Sequence, residues 1–240
     1  IAALPTFSAQ YALGKIDEMR TSLASTLRSM FLLALPASVG LILLARPIVS
    51  MLYQRGEFTA LTTEMTAWAL TWYAAGLLGH SVMEVLTRAF YAQQDTKTPV
   101  IIGTIAMGLN VVFSFVFARL FSQLGWFPHG GLALANSLAT ALEAITLFLV
   151  MRRRLNGIEG RYIARGFAAC AIASFGMGVG LWVWLQAEGE LPRWVITLGG
   201  VALGGTLYGI GVLLMRVPEI QILVNAITRR VVRPASPSSR

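Results

Sequence analysis

Several polar groupings stand inside otherwise apolar stretches, where an ionisable side chain is costly and needs a partner, water or a task. His80, Glu84 and Arg88 recur every four residues, a spacing that lines them along one face of a helix. An imidazole, a carboxylate and a guanidinium in a row can relay a proton, hold a charged substrate group, or form a neutralised pair that fixes helix packing while Arg88 reaches the membrane surface. Spacing alone leaves these three open. One His and one Glu supply too few donors for zinc. Asn110 and Ser114 are also four apart, and Asn136, Thr140 and Glu143 share a helical face. Two such stripes on helices joined by a short loop can form a small cation or proton site near mid-membrane. The plainer reading is interhelical hydrogen bonding, worth roughly 0.6–2 kcal/mol per contact. Glu143 is the sharper case, because a lone carboxylate in hydrocarbon must be protonated, paired or hydrated.

The elements that must carry these groups follow from composition. The 240 residues are 56% hydrophobic and 12% charged, about half the charge of a typical soluble domain. Apolar windows of about 20 residues, enough to cross a bilayer core, recur along the chain. An all-α polytopic membrane bundle of six spans is expected: 27–53, 65–91, 100–121, 131–151, 166–186 and 193–215. β-barrel strands would be about half as long and alternating. Pro36 falls inside the first span and predicts a kink, whereas Pro99 and Pro192 stand at helix entrances, where a missing N–H is harmless. Residues 1–26 read as the end of a preceding helix and an amphipathic connector, 27–151 as four spans, 152–165 as a basic loop and 166–216 as two further spans. Residues 217–240 read as an amphipathic surface segment with a Pro/Ser tail.

The net charge of +8 is distributed around the spans and carries no nucleic-acid motif. With six spans, all of the 19 Lys+Arg except Arg46, Arg55, Arg119 and Arg193 fall on one side, and the positive-inside rule makes that side cytoplasmic. Both termini and Arg152-Arg153-Arg154 are then cytoplasmic. The single cysteine, Cys170, lies in an apolar window and offers no disulfide or metal framework. Gly200, Gly204, Gly205 and Gly209 form two overlapping small-xxx-small patterns in the last span and predict close helix packing. No phosphate-binding glycine loop, zinc protease motif or nucleophile triad is visible, which points away from an enzyme. The chain opens on Ile1 rather than Met and is expected to be part of a longer protein.

Four stretches together carry a family resemblance: Leu4-Pro5; Arg55-Gly56-Glu57-Phe58-Thr59; Val85 to Ala92 running into Asp95-Thr96-Lys97-Thr98-Pro99; and Gly131 to Ser137. They resemble the MurJ/MviN family of lipid II flippases, within the wider multidrug/oligosaccharidyl-lipid/polysaccharide exporter group. The likeness covers Leu4 to Met151, and the last two spans match mainly by position and hydropathy. It implies a parent with two six-helix lobes and two further C-terminal helices, of which this chain is the C-terminal portion, lacking the N-terminal lobe. It also implies a bacterial cytoplasmic-membrane protein that moves undecaprenyl-pyrophosphate-linked peptidoglycan precursor between leaflets by alternating access, with membrane lipids around it and no covalent step. No cofactor is implied beyond a coupling cation or proton. Some members bind sodium through an Asn and an Asp four apart and a Thr on the next span. Asn110 matches the first, but Ser114 stands in place of the Asp and Asn136 in place of the Thr, so family-type sodium binding is not expected. A related polysaccharide-lipid or drug exporter, and a non-transporting membrane scaffold, are the alternatives.

The charge asymmetry generates a topology test. In intact cells, a membrane-impermeant thiol reagent is expected to modify Pro128→Cys and to leave Arg153→Cys untouched. The opposite labelling pattern would invert the orientation.

Overall fold

The computed structural model describes residues 3–186 and 192–215; the amphipathic segment and tail expected after residue 216 lie outside them. Eight helices account for the described chain: α1 (Ala3–Ala12), α2 (Ile16–Leu43), α3 (Ala45–Tyr53), α4 (Ala60–Ala92), α5 (Lys97–Gln123), α6 (Pro128–Arg154), α7 (Gly160–Gln186) and α8 (Arg193–Leu214). Five of them, α2, α5, α6, α7 and α8, are long and apolar enough to cross a membrane. The sixth expected span is α4. Its 33 residues exceed the length needed, but its threonines, tryptophans and charged groups dilute its hydropathy. It is the helix that carries His80, Glu84 and Arg88.

Two boundaries differ from the expectation. The helix that carries the first span begins well before residue 27: α2 starts at Ile16 and runs unbroken through Leu27, with Asp17 and Glu18 in its first turn, where carboxylates favour the positive end of the helix dipole. The connector and the span are therefore one helix. The span also does not reach Tyr53 as a single rod. Pro36 is accommodated inside α2, and the break falls at Leu44, after which the short α3 begins.

The helices form a row in which α5 packs on α6, α6 on α4, α4 on α2, α2 on α7 and α7 on α8. The main buried core lies at the arginine-rich end, built from Phe7, Met19, Leu23, Leu27, Leu86, Phe90, Leu147, Met151, Ile163 and Val212 with their neighbours. The opposite end carries an aromatic cluster. Trp68 meets Trp72 and Trp126 at centroid separations of 5.6 and 5.4 Å, and Phe121 meets Trp126 at 5.2 Å. Such amphipathic rings favour the headgroup level of a bilayer.

Close approach depends on small residues. The Cβ that Gly76 lacks would lie 2.8 Å from the Ser137 Cα, and that of Gly79 would lie 3.2 Å from the Ala141 Cα; α4 and α6 thus touch almost backbone to backbone. On the other side of α6, a Cβ at Gly131 would come 2.6 Å from the Phe117 carbonyl. In the last span the glycine pattern is used by half. Gly200 packs against Leu44 and Gly204 against Leu181, whereas Gly205 and Gly209 face open space, because only one stripe of α8 meets the bundle.

The two classes of glycine predict opposite outcomes. Gly131→Ala should destabilise the protein by about 1–3 kcal/mol through overpacking. Gly108→Ala, where nothing lies within 4 Å, should be neutral or stabilising by up to about 1 kcal/mol from helix propensity. Thermal unfolding in detergent measures both; equal effects would contradict the packing.

Candidate functional site

The loop from α4 to α5 is built by backbone chemistry first. Gln94 adopts φ 59° as α4 ends, its N–H donating to the Tyr91 carbonyl while the Asp95 N–H reaches back to Phe90 O. These paired bonds close a Schellman motif. The turn presents the Asp95 side chain to the next helix. Its Oδ1 accepts from the Thr98 N–H at 3.0 Å and its Oδ2 from the Thr98 hydroxyl at 2.7 Å. Pro99 follows within the first turn of α5, where its missing N–H costs nothing. Arg154, the last residue of α6, places Nη2 2.6 Å from Asp95 Oδ2 and its guanidinium 5.1 Å from the Phe90 ring centroid. Asp95 therefore ties three helix ends together. The Thr98 hydroxyl and N–H, assisted by Arg154 and opposed by slight burial, hold its carboxyl down at about 2.

The Arg55 to Thr59 motif is a second turn. Gly56 sits at φ +56°, Arg55 Nη2 donates to the Leu52 carbonyl, and Thr59 caps α4 by accepting from the Thr62 N–H. Glu57 is exposed beside it. Thr96 precedes α5 without a side-chain capping bond; Asp95 does that work instead.

The polar residues of α5 and α6 meet across an antiparallel contact. Asn110, the central residue of α5, donates from Nδ2 to Asn136 Oδ1 at 3.2 Å, and the Ser114 hydroxyl donates to Asn110 Oδ1 at 3.2 Å. The sequence grouping of these three is thus one cluster in space. Each amide oxygen accepts one hydrogen bond within this neutral trio and keeps a second lone pair. Two turns along α6, Glu143 lies against α5 at Gly103, where a Cβ would stand 3.1 Å from its Oε1.

On α4 the expected three-membered ladder divides. Glu84 and Arg88 form an ion pair. His80 instead places Nδ1 3.2 Å from its own Gly76 carbonyl. Gly76 and Gly79 bring α4 and α6 together just before His80. His80, Glu84 and Arg88 are exposed on the flank of the described bundle rather than packed in its interior. The approach of Glu143 to α5 was not legible in the sequence, although Gly103 was the signal for it. No group of three His, Cys, Asp or Glu able to hold a metal occurs among the described residues.

A row of apolar helices of bilayer length, with a polar seam at mid-height and an ionic stripe on one flank, defines a multi-pass α-helical membrane protein. Comparison with known proteins makes this specific. The sequence model of the lipid II flippase MurJ family matches residues 1–195, and the chain belongs to that family. A probable lipid II flippase MurJ of Haemophilus influenzae is 29% identical over 206 residues, covering 81% of this chain and 39% of that protein. The lipid II flippase MurJ of Burkholderia cenocepacia is 34% identical over 151 residues, covering 63% and 28% respectively. The chain thus spans less than half the length of these relatives. A solved structure of lipid II flippase MurJ in an inward closed conformation superposes with a TM-score of 0.71 at 21% identity, over 97% of this chain and 44% of that one, which shows the shared fold.

The Asp95 junction generates a prediction. Asp95→Ala should lower stability by about 1 kcal/mol, the usual worth of a helix cap. Because folding lowers the carboxyl, the wild-type contribution is complete above the ordinary carboxylate range and fades as pH falls toward about 2. The wild-type minus variant difference in unfolding temperature should therefore shrink below about pH 4. A difference constant down to pH 2 would contradict the assignment.

Proposed function

We propose that this chain is the larger part of the second lobe of a flippase that moves undecaprenyl-pyrophosphate-linked peptidoglycan precursor from the cytoplasmic to the periplasmic leaflet. It works by rocking against a preceding lobe, and both ends of this segment are cytoplasmic. The observation that carries the reading is the ionic flank of α4. Helices α5, α7 and α8 present Phe115, Phe175, Trp182 and Leu213 outward, as lipid-facing surfaces do. Helix α4 presents His80, Glu84 and Arg88, and hydrocarbon does not tolerate such a stripe. It fits a water-filled passage or an opposing polar surface.

The physical task is to shelter a large anionic headgroup while its lipid tail stays in the bilayer, and alternating access to a central passage meets it. Arg88 offers a positive charge toward that passage, balanced by Glu84 so that the empty site is neutral. Nothing covalent is required of the protein, so its role is that of a transporter. Family membership and the shared fold support the reading. In it Asn110 and Asn136 tie α5 to α6 by a hydrogen bond, with Ser114 bracing Asn110 on its own helix, rather than forming a sodium site.

Two measurements test it. In a Cys170→Ala background, Glu84→Cys should react with a small water-soluble thiol reagent, whereas Phe175→Cys, 72% exposed in the isolated bundle, should not; equal reactivity would place the α4 stripe in lipid. Cells depleted of their own flippase should accumulate the lipid-linked precursor and be rescued by the complete reading frame. Altered efflux of cationic dyes without rescue would favour a drug exporter.

A further inference from the structure

We propose that the cavity between α3, α4 and α8, at the end of the bundle away from the arginine-rich one, binds the phosphate of an anionic phospholipid headgroup through Arg46 and Arg193. Basic residues are scarce there. Of the 19 Lys+Arg, only Arg46, Arg55, Arg119 and Arg193 fall on that side in the six-span reading. Two of these four line one cavity of about 240 Å³. Arg46, Ser50 and Gln54 recur every four residues along one face of α3 and its cap, Thr63 comes from the start of α4, and Arg193 opens α8. Segments far apart in the chain thus bring two guanidiniums to one small space.

The lining is rich in donors and holds no acid. Ser50 gives its hydroxyl proton to Gln54 Oε1 at 2.8 Å, which leaves the two amide N–H bonds of Gln54 to donate elsewhere. Thr63, buried at the floor, spends its own proton on the Thr59 carbonyl at 3.0 Å. Among the described residues no carboxylate lies within ion-pair distance of Arg46 or Arg193. A guanidinium fork matches the oxygens of a phosphate two at a time, and two such forks repel a metal cation. Helix α8 adds to the field, because its N-cap, Pro192, makes no side-chain capping bond and the positive end of the helix stands uncapped beside the cavity.

Size and height choose the source of the phosphate. The volume is below the ~300–1,000 Å³ of sites that enclose a drug-sized ligand, so the cavity takes a phosphate with its ester oxygens while acyl chains stay outside. Tyr53 and Trp194, neighbours of Gln54 and Arg193 in the chain, are largely exposed, and such rings favour the headgroup level, where lipid phosphates already stand. The occupant is a resident membrane lipid, separate from any lipid that is moved, so the site does not depend on the transport reading. Its effect is mechanical. Helix α3 is parted from α2 by the break at Leu44 and packs on α4 and α8; a phosphate shared by Arg46 and Arg193 ties that tip of the first span to the last described helix.

The test uses the complete protein in nanodiscs, its native cysteines replaced, with a single cysteine at Ser50→Cys or, as a control on the same surface, at Glu57→Cys. N-ethylmaleimide should modify Ser50→Cys about fivefold more slowly in discs containing phosphatidylglycerol than in discs of phosphatidylcholine, as a site about four-fifths filled would, with less than about a twofold change at Glu57→Cys. Arg46→Gln combined with Arg193→Gln should bring the two Ser50→Cys rates together. If that variant does not fold, Arg193→Gln alone is read in the same way. Protection that survives loss of the guanidiniums, or slowing that is equal at Glu57→Cys, overturns the site. Protection by inorganic phosphate in phosphatidylcholine discs, with none from phosphatidylglycerol, makes the ligand a soluble phosphate and overturns the headgroup. Equal Ser50→Cys rates in the two discs also overturn the proposal. Lipid protection that then emerges in Glu188→Gln with Glu190→Gln, on the α7–α8 connection outside the described residues, identifies the chain's own carboxylates as the occupant instead.

Discussion

In hydrocarbon, two apolar helices gain little by hiding their side chains from one another, so a bundle is held by how closely its backbones approach. Here that constraint falls on α6. Its buried positions are Gly130, Gly131, Ala133, Ala135, Ser137, Ala139, Thr140 and Ala144 along most of its length, with Leu147 and Met151 only near its end. The narrow helix fits between α4 and α5. The contacts that join helices at the candidate site share α6 as one wall: Asn136 with Asn110, Glu143 with Gly103, Arg154 with Asp95. Widening α6 would separate all of them at once.

What the sequence made legible was what periodicity and hydropathy encode. Helices of bilayer length, their approximate limits and the spatial grouping of Asn110, Ser114 and Asn136 follow from spacing. Contacts between helices do not. Glu84 is four residues from both His80 and Arg88, yet it pairs with Arg88, and the glycines before His80 decide which side of α4 meets α6. Arg154 was readable as a topological charge, but its bond to Asp95 depends on where α6 stops relative to the α4–α5 turn. The continuity of α2 was hidden for a related reason: charges at Asp17, Glu18 and Arg20 mimic a membrane boundary when the helix projects past it.

The family motif divides into pieces with different duties. Arg55 to Thr59 makes a turn and a cap. Asp95 to Pro99 makes a cap with a cross-link, and Gln94 takes a left-handed conformation that glycine usually fills. Asn156 does the same after α6, at φ 51°. These ends are held by hydrogen bonds and an ion pair at the membrane surface, where water competes, whereas the Gly76, Gly79 and Gly103 contacts lie in the dry middle. The bundle is thus fastened differently at its rim and at its centre.

The placement of α5 on the far side of α6 from α4 bears on how the chain is made. α5 and α6 are consecutive and antiparallel, so they can pair as soon as both have left the ribosome. α4 and α6 are parallel neighbours separated in the chain by the whole of α5. At synthesis rates of about 5–20 residues per second, α4 therefore waits on the order of seconds before its partner arrives. During that interval a helix carrying Glu64, His80, Glu84 and Arg88 must stay in the membrane without the surface that locks it. Biogenesis, rather than the finished fold, is then the stage most sensitive to the charge balance of α4, and the internal Glu84–Arg88 pair is the part of that balance already present before α6 exists.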